Sequence, residues 1–236
     1  MSARRQRCSR IARLAVIAAA VLTIGATLTA APPASAVAVP TCFGFTEAAA
    51  AALGYETHLG TSGDDIVAAT GTTPIWFYGD TGDDIVRGSD YGDLICLGSG
   101  NDFADAGDGS DQVTGDEGND VINLGPSGSD AANSNFGQGG DGNDLIVATG
   151  NGKNNLIGDT QPGQPLGQGI DILIGADGDD MLDGGGLTDL MVGGGGNDTM
   201  FGGDGTDLIN GGGGTNTGDA GNGTDLCING TFNSCP

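Results

Sequence analysis

Basic residues are scarce in this chain. Lys and Arg total 7 of 236 residues, against 31 Asp and Glu. Five of the seven, Arg4, Arg5, Arg7, Arg10 and Arg13, crowd the first residues. From residue 37 onward only Arg87 and Lys153 oppose all 31 acids, a formal charge of −29. Such a chain has no basic patch, which excludes that route to nucleic acid or an anionic membrane. Histidine is scarcer still: His58 stands alone, so no paired-histidine zinc site can form. H-E-x-x-H, G-x-S-x-G and a Gly-Lys-Ser/Thr phosphate loop are missing, and His58 has no neighbouring nucleophile. These absences leave no catalytic constellation, and the chain reads as a non-enzyme. Glutamate is limited to Glu47, Glu56 and Glu117, so the acid is almost all Asp. Asp is the shorter carboxylate, favoured in turns and in oxygen cages around hard cations.

Long apolar runs are confined to the start. The arginines precede Leu14 to Ala30, then Pro32-Pro33-Ala34-Ser35-Ala36. A charged n-region, an apolar h-region and an A-x-A site predict a cleaved secretory signal over 1–36. The run is short for a membrane anchor, and no membrane span is expected after cleavage. Cleavage removes Cys8 and leaves Cys42, Cys96, Cys227 and Cys235. An even count in an exported chain favours disulfides over metal thiolates. Three connectivities are open. Cys42–Cys96 with Cys227–Cys235 is the favoured one, because it would pin both ends of the mature chain.

What the chain has in excess is glycine, 48 residues, arranged with a period. "GADGDDMLD" from Gly175, "GGGLTDLMV" from Gly184, "GGGGNDTMF" from Gly193 and "GGDGTDLIN" from Gly202 follow in steps of nine. An earlier block starts at Gly79 with "GDTGDDIVR" and ends with "GDEGNDVIN". The sixth positions are Asp84, Asp93, Asp102, Asp111 and Asp120, then Asp171, Asp180, Asp189, Asp198, Asp207, Asn216 and Asp225. Looser copies add Asp65 and Asp144. A glycine-rich hexapeptide can turn tightly, and three residues with apolar character can form a short strand. Stacked, these units make a solenoid whose neighbours complete one another's core.

These units resemble the Gly-Gly-x-Gly-x-Asp-x-U-x nonapeptide of the repeats-in-toxin family, where U is a large apolar residue. The match is best over 79–123 and 171–228. The resemblance implies an all-β fold, a parallel β-roll (a right-handed β-solenoid) with Ca²⁺ bound in its glycine-rich turns. It also implies that successive repeats alternate between two sheets, so that partners lie two repeats apart. Asp84, Asp102 and Asp120 would then line one edge and Asp93 and Asp111 the other. Asp171, Asp189, Asp207 and Asp225 would share an edge, opposite Asp180 and Asp198. Asn216, and Tyr91 in place of a turn glycine, mark weaker sites; Asn154 and Asn155 stand where an ion would need carboxylate. Members often carry a protease, lipase or pore-forming domain, but no segment here is long enough for one. The cleavable N-terminal signal also departs from members that leave by a C-terminal one.

Eighth positions should point inward: Val86, Ile95, Ala104, Val113 and Ile122, then Leu173, Leu182, Met191, Met200, Ile209, Gly218 and Cys227. This core is thin, so carboxylate repulsion should outweigh it without several Ca²⁺ ions, and folding should be coupled to binding. Gly218 and Cys227 suggest a taper near the end. Outward positions on one sheet of the second block are Ile172, Ile174, Leu190, Val192, Leu208, Asn210, Leu226 and Ile228, apolar but for Asn210. The opposite sheet shows Met181, Asp183, Thr199, Phe201, Thr217 and Asp219. The oily face is a candidate partner surface, or a seat for the chain's own insertion.

Six segments result: the signal, 1–36; an N-terminal cap, 37–59; a first repeat block, 60–130; irregular repeats and an insertion, 131–170; a second block, 171–228; and a pinned tail, 229–236. Residues 46–53 predict a short helix capped by Thr46 and stopped by Gly54, a lid on the first coil. The whole reads as a secreted, calcium-loaded structural or binding module. The alternative is an adhesin-like module recognising a cell surface, a glycan or ice. Regular outward threonine ladders would favour ice, and Thr199 and Thr217 alone are too few.

Overall fold

The computed structural model describes residues 41–127, 134–159 and 169–235. The expected signal over 1–36, residues 37–40 of the expected cap, residues 128–133 and 160–168 of the insertion, and residue 236 lie outside the described residues. The fold is an all-β parallel solenoid. From Glu56–Leu59 onward its strands alternate between two sheets, save for the short Asn222–Gly223, and Thr41–Cys42 pairs antiparallel with Phe45–Thr46 in a small sheet of its own. The first sheet has nine strands, from Ile66–Ala68 to Leu226–Ile228. The second has eleven, from Glu56–Leu59 to Thr231–Asn233. Within each sheet the regular register step is two repeats, as in Phe103↔Val121, Leu190↔Leu208 and Trp76↔Leu94. Consecutive nonapeptides therefore face each other across the core, and alternate ones stack.

The chain reverses between strands in six residues. It can do so because turn glycines take left-handed backbone, as Gly203 does at φ +101°. The eighth positions point inward as the period predicts. Val86, Ile95, Val113, Ile122, Leu173, Leu182, Met191, Met200 and Ile209 are fully buried in one cluster. Burying each large aliphatic contributes about 1.5–3 kcal/mol. With one such residue per repeat, the core is a single file of side chains between two sheets. It tapers at the end: Gly218 contributes no side chain, and Phe232, Cys227 and Cys235 close over the last rungs, partly buried.

The predicted helix forms at Glu47–Ala52, with Thr46 Oγ1 accepting from Ala49 N at 3.3 Å. It seats on the outer face of the second sheet, against its first strands. It buries Ala50 against Trp76, Leu94 and Cys96, which face outward from the second sheet. Cys42–Cys96 fastens this cap to the sheet, and Cys227–Cys235 closes the C-terminal end. The favoured pairing is thus the one present. By loop length alone the 54-residue link constrains the unfolded chain by about 4 kcal/mol and the 8-residue link by about 2.5 kcal/mol.

Candidate metal centre

The sixth-position residues end each turn and begin each strand. On the first edge, which feeds the first sheet, they run Asp65, Asp84, Asp102, Asp120, Asp144, Asp171, Asp189, Asp207 and Asp225. Each Oδ1 accepts a hydrogen bond from the backbone N–H of the sixth-position residue one rung below. Asp84 accepts from Asp65 at 2.8 Å, Asp102 from Asp84 at 2.6 Å, and so on to Asp225 from Asp207 at 3.0 Å. The chain of eight such bonds is unbroken. It fixes every carboxylate in one orientation, with its second oxygen turned into the roll.

That second oxygen has nothing to bond to. Oδ2 of Asp84, Asp102, Asp120, Asp144, Asp171, Asp189, Asp207 and Asp225 is buried without a hydrogen-bond partner. So is Oδ2 of Asp111, Asp180 and Asp198 on the second edge. At seven of these turns, those of Asp84, Asp120, Asp171, Asp180, Asp189, Asp198 and Asp207, it lies beside another acceptor. At Gly184 an added Cβ would meet Asp189 Oδ2 at 2.5 Å and the Gly202 carbonyl oxygen at 2.8 Å. At Gly175 it would meet Asp180 Oδ2 at 2.6 Å and the Gly193 carbonyl oxygen at 2.8 Å. The same pair, a carboxylate oxygen and the carbonyl one rung above, closes over Gly79, Gly115, Gly158, Gly193 and Gly202. In these turns the first-position glycine leaves the space open; the turns of Asp102, Asp111 and Asp225 start with Leu97, Ala106 and Ala220 instead. Two acceptors with no hydrogen between them repel unless a cation or a proton bridges them. Among the described residues no three acidic, histidine or cysteine side chains gather at one point. A bridging ion would therefore be held by carboxylates one at a time, together with backbone carbonyls. That donor set suits a hard, oxygen-seeking cation such as Ca²⁺.

The electrostatics agree. Burial pushes Asp111 up to about 9 and Asp171 up to about 8. Burial, helped by neighbouring carboxylates, takes Asp120, Asp180 and Asp189 to about 7. Burial likewise raises Asp84 and Asp144 to about 6, and raises Asp102, Asp198 and Asp207. Without a cation, ionising these rows is costly.

Two of the thirteen expected ligands differ. Asp65 Oδ2 accepts from Thr61 N at 2.7 Å and from Thr61 Oγ1 at 3.2 Å. Asp93 accepts from Ser89 N, Ser89 Oγ and Ile75 N. A hydroxyl residue at the second turn position, Thr61 or Ser89, supplies the bonds to Oδ2, so in neither turn is Oδ2 left without a partner. One acid the sequence reading passed over belongs with the rows. Asp159 is 97% buried; Gly186 N donates to its Oδ2 at 2.6 Å, and its Oδ1 has no partner. Burial raises it to about 6, with Asp141 and Asp183 adding to the rise. Gly158 and Asp159 open a turn that Gly169, Ile170 and Asp171 finish. The signal was a repeat split by an insertion, which a strict period of nine hides.

Ile172, Leu190, Leu208 and Leu226 stack in register on the outer side of the first sheet, with Ile174, Val192 and Ile228 beside them. The stack continues through the first block as Leu145, Val121, Phe103, Ile85 and Ile66. Nine rungs in succession are apolar, over roughly 38 Å at the usual strand spacing. Exposure is greatest at the ends, 80% for Ile66 and 60% for Leu226. Among the described residues no helix is long and apolar enough to cross a membrane.

The model of the RTX calcium-binding nonapeptide repeat (4 copies) matches residues 78–103, 97–126, 167–191, 183–218 and 192–227. These ranges contain the turns of both edges except those at the insertions and at the N-terminal end. Comparison with curated proteins and with solved structures finds no match.

Proposed function

We propose that this chain of the RTX calcium-binding nonapeptide repeat family is a secreted module whose roll folds only as Ca²⁺ fills its turns, and which serves outside the cell as a structural or binding element. The observation that carries the reading is the row of buried Oδ2 atoms without a hydrogen-bond partner, seven of them beside a backbone carbonyl of the next rung. One ion bridging each such pair removes the repulsion and neutralises a chain that otherwise carries −29 from residue 37 onward. The ligands in this reading are Asp84, Asp102, Asp111, Asp120, Asp144, Asp171, Asp180, Asp189, Asp198, Asp207 and Asp225, with Asp159 as an addition. Asp65 and Asp93 hold their turns by hydrogen bonds instead. The export signal, two disulfides and weak modular sites all suit an extracellular setting rich in Ca²⁺. No catalytic role is part of this reading, because the acids are accounted for by the turns.

The test is circular dichroism of residues 37–236 during a Ca²⁺ titration, with Mg²⁺ as control. A Ca²⁺-specific gain of β-structure from a disordered start is the expected result. A chain already folded in chelator and indifferent to Ca²⁺ would sink the proposal.

A second reading, an adhesive module for a cell surface, a glycan or ice, is favoured by the nine-rung apolar ladder. It requires that Leu190→Ser with Leu208→Ser lower retention on washed cells while leaving the bound ion count unchanged. Equal retention of the variant and the parent removes this reading.

A further inference from the structure

Three sixth positions hold Asn in place of Asp, and their side chains do something the carboxylates cannot. Asn216 Nδ2 lies 2.6 Å from where a Cβ on Gly211 would stand. That is the place Asp189 Oδ2 takes over Gly184 and Asp180 Oδ2 takes over Gly175. Nδ2 donates to the Asn229 carbonyl oxygen at 3.0 Å, the carbonyl one rung above, and to the Gly213 carbonyl at 3.4 Å. Asn216 Oδ1 still accepts from Asp198 N at 2.8 Å, so the edge ladder is kept. Asn154 Nδ2 donates to the Gly175 carbonyl oxygen at 3.0 Å, again one rung above, with the Gly152 carbonyl at 3.1 Å and Asp180 Oδ1 at 3.0 Å also within reach, while its own Oδ1 is buried without a partner. Asn135 Nδ2 donates to the Leu124 and Gly125 carbonyls of its own turn at 3.3 and 3.2 Å, and its Oδ1 accepts from Asp111 N at 3.0 Å. All three residues are at least 97% buried.

We propose that Asn135, Asn154 and Asn216 are built-in replacements for the cation: their amide hydrogens bridge to the carbonyls that an ion would otherwise hold. These rungs close without calcium and divide the ions of the second edge into separate groups. The inference rests on the calcium reading of the Asp turns and adds which turns are exempt. Their places in the fold explain the exchange. An ion needs a complete turn below it and another above. The turn ending at Asn135 is opened by the insertion around 128–133, and Asn154 is on the next rung. Above Asn216 the chain offers only Asn229 and Gly230 before the last strand, Thr231–Asn233. At each place a carboxylate would be buried against an incomplete cage. An amide supplies its own positive hydrogens and needs no partner ion.

The experiment counts bound Ca²⁺ by native mass spectrometry at fixed free calcium. The parent, Asn154→Asp, Asn216→Asp, Asn216→Ala, Asp198→Asn and Asp198→Ala are compared, each as the full mature chain with disulfides intact. The expected result is a higher calcium requirement for folding and no added ion in Asn154→Asp and Asn216→Asp, whose cages are incomplete, and no change of ion count in Asn216→Ala. If an introduced acid prevents folding, the reverse exchange decides the matter. Asp198→Asn should hold one ion fewer than the parent, yet fold at roughly tenfold lower calcium than Asp198→Ala, the worth of a retained buried hydrogen bond. An ion lost from Asn216→Ala, or equal calcium requirements of the two Asp198 variants, overturns the proposal. A parent chain that takes up no calcium overturns the calcium reading beneath it as well.

Discussion

Each edge of the roll contains one turn opened by an insertion, and the two are repaired in opposite ways. On the first edge the turn from Gly158 to Asp171 keeps its sixth-position acid and gains a second, Asp159. On the second edge the interrupted turn ends in Asn135, and Asn154 follows on the next rung. The first edge consequently keeps its chain of eight carboxylate hydrogen bonds through the insertion. The ladder of the second edge is carried by Asp93, Asp111 and Asn135, then resumes at Asp180. The difference teaches that a site belongs to two stacked turns rather than to one repeat. Where both turns are complete, a carboxylate can face a carbonyl and share an ion with it. Where one is damaged, the chain adds acid or gives up the charge.

The largest expected effect separates the edges by removing the ion. In excess chelator the far-ultraviolet signature of the roll should be lost. Amide exchange measured along the way should reach the first edge before the rungs of Asn154 and Asn216. Early exchange at Asp198 N, which donates to Asn216 Oδ1, would contradict the contrast.

Acid should act on the ion-free chain in the opposite sense from its usual one. The buried acids have raised folded-state values, about 8 for Asp171 and about 7 for Asp120 and Asp189, above the ordinary carboxylate range. The folded chain therefore binds more protons than the unfolded chain, and stability falls as pH rises through that window. The penalty is complete above the raised values and relieved below them. In chelator, lowering the pH from about 8 to about 5 should recover β-structure, since a proton can bridge each Oδ2 to its carbonyl. With calcium present the same change should weaken binding, because protons compete for the oxygens. Circular dichroism at both pH values, with and without chelator, reads both signs.

A single substitution should then distinguish acids that face an ion from acids that do not. Asp120→Ala removes the acceptor of Asp102 N and the orphan oxygen together. It should cost about 3 kcal/mol in calcium and one ion from the count. Asp93→Ala should also destabilise, by about 1–3 kcal/mol, because Ile75 N and Ser89 N lose their acceptor. It should leave the ion count unchanged. Asp159→Asn tests the repaired turn in the same assay, with a lower calcium affinity as the expected outcome.

Much of this was legible in the sequence. The nine-residue phase placed the inward residues, from Val86 to Ile209, and the alternation of sheets followed from the family resemblance. The oily face was read only in the second block. Ile66, Ile85, Phe103, Val121 and Leu145 extend it, and they were visible at every second seventh position. What the period could not carry was the second turn position. Thr61 and Ser89 satisfy Asp65 and Asp93 through hydrogen bonds that depend on side-chain reach rather than on spacing. Asp159 escaped because its turn is split by an insertion. The cap was legible as a helix, but its seat on the outer sheet face was not, because that is set by Trp76, Leu94 and the Cys42–Cys96 link, contacts far apart in the chain.

The smallest effect tests the space itself. Gly184 has ordinary backbone, so an alanine there meets no conformational penalty, and only its Cβ matters. That carbon would stand 2.5 Å from Asp189 Oδ2 and 2.8 Å from the Gly202 carbonyl oxygen, in the gap assigned to the ion. Gly213 lies in the same kind of turn on the other edge, and its Cβ would find nothing closer than 3.7 Å. Gly184→Ala should therefore cost about 1–3 kcal/mol of overpacking and lose one ion. Gly213→Ala should stay within about 0.5 kcal/mol and lose none. Calcium counts and thermal midpoints of the pair measure this directly. If Gly184→Ala were as mild as Gly213→Ala, with its ion retained, the gap over the first-position glycine would not be where calcium sits.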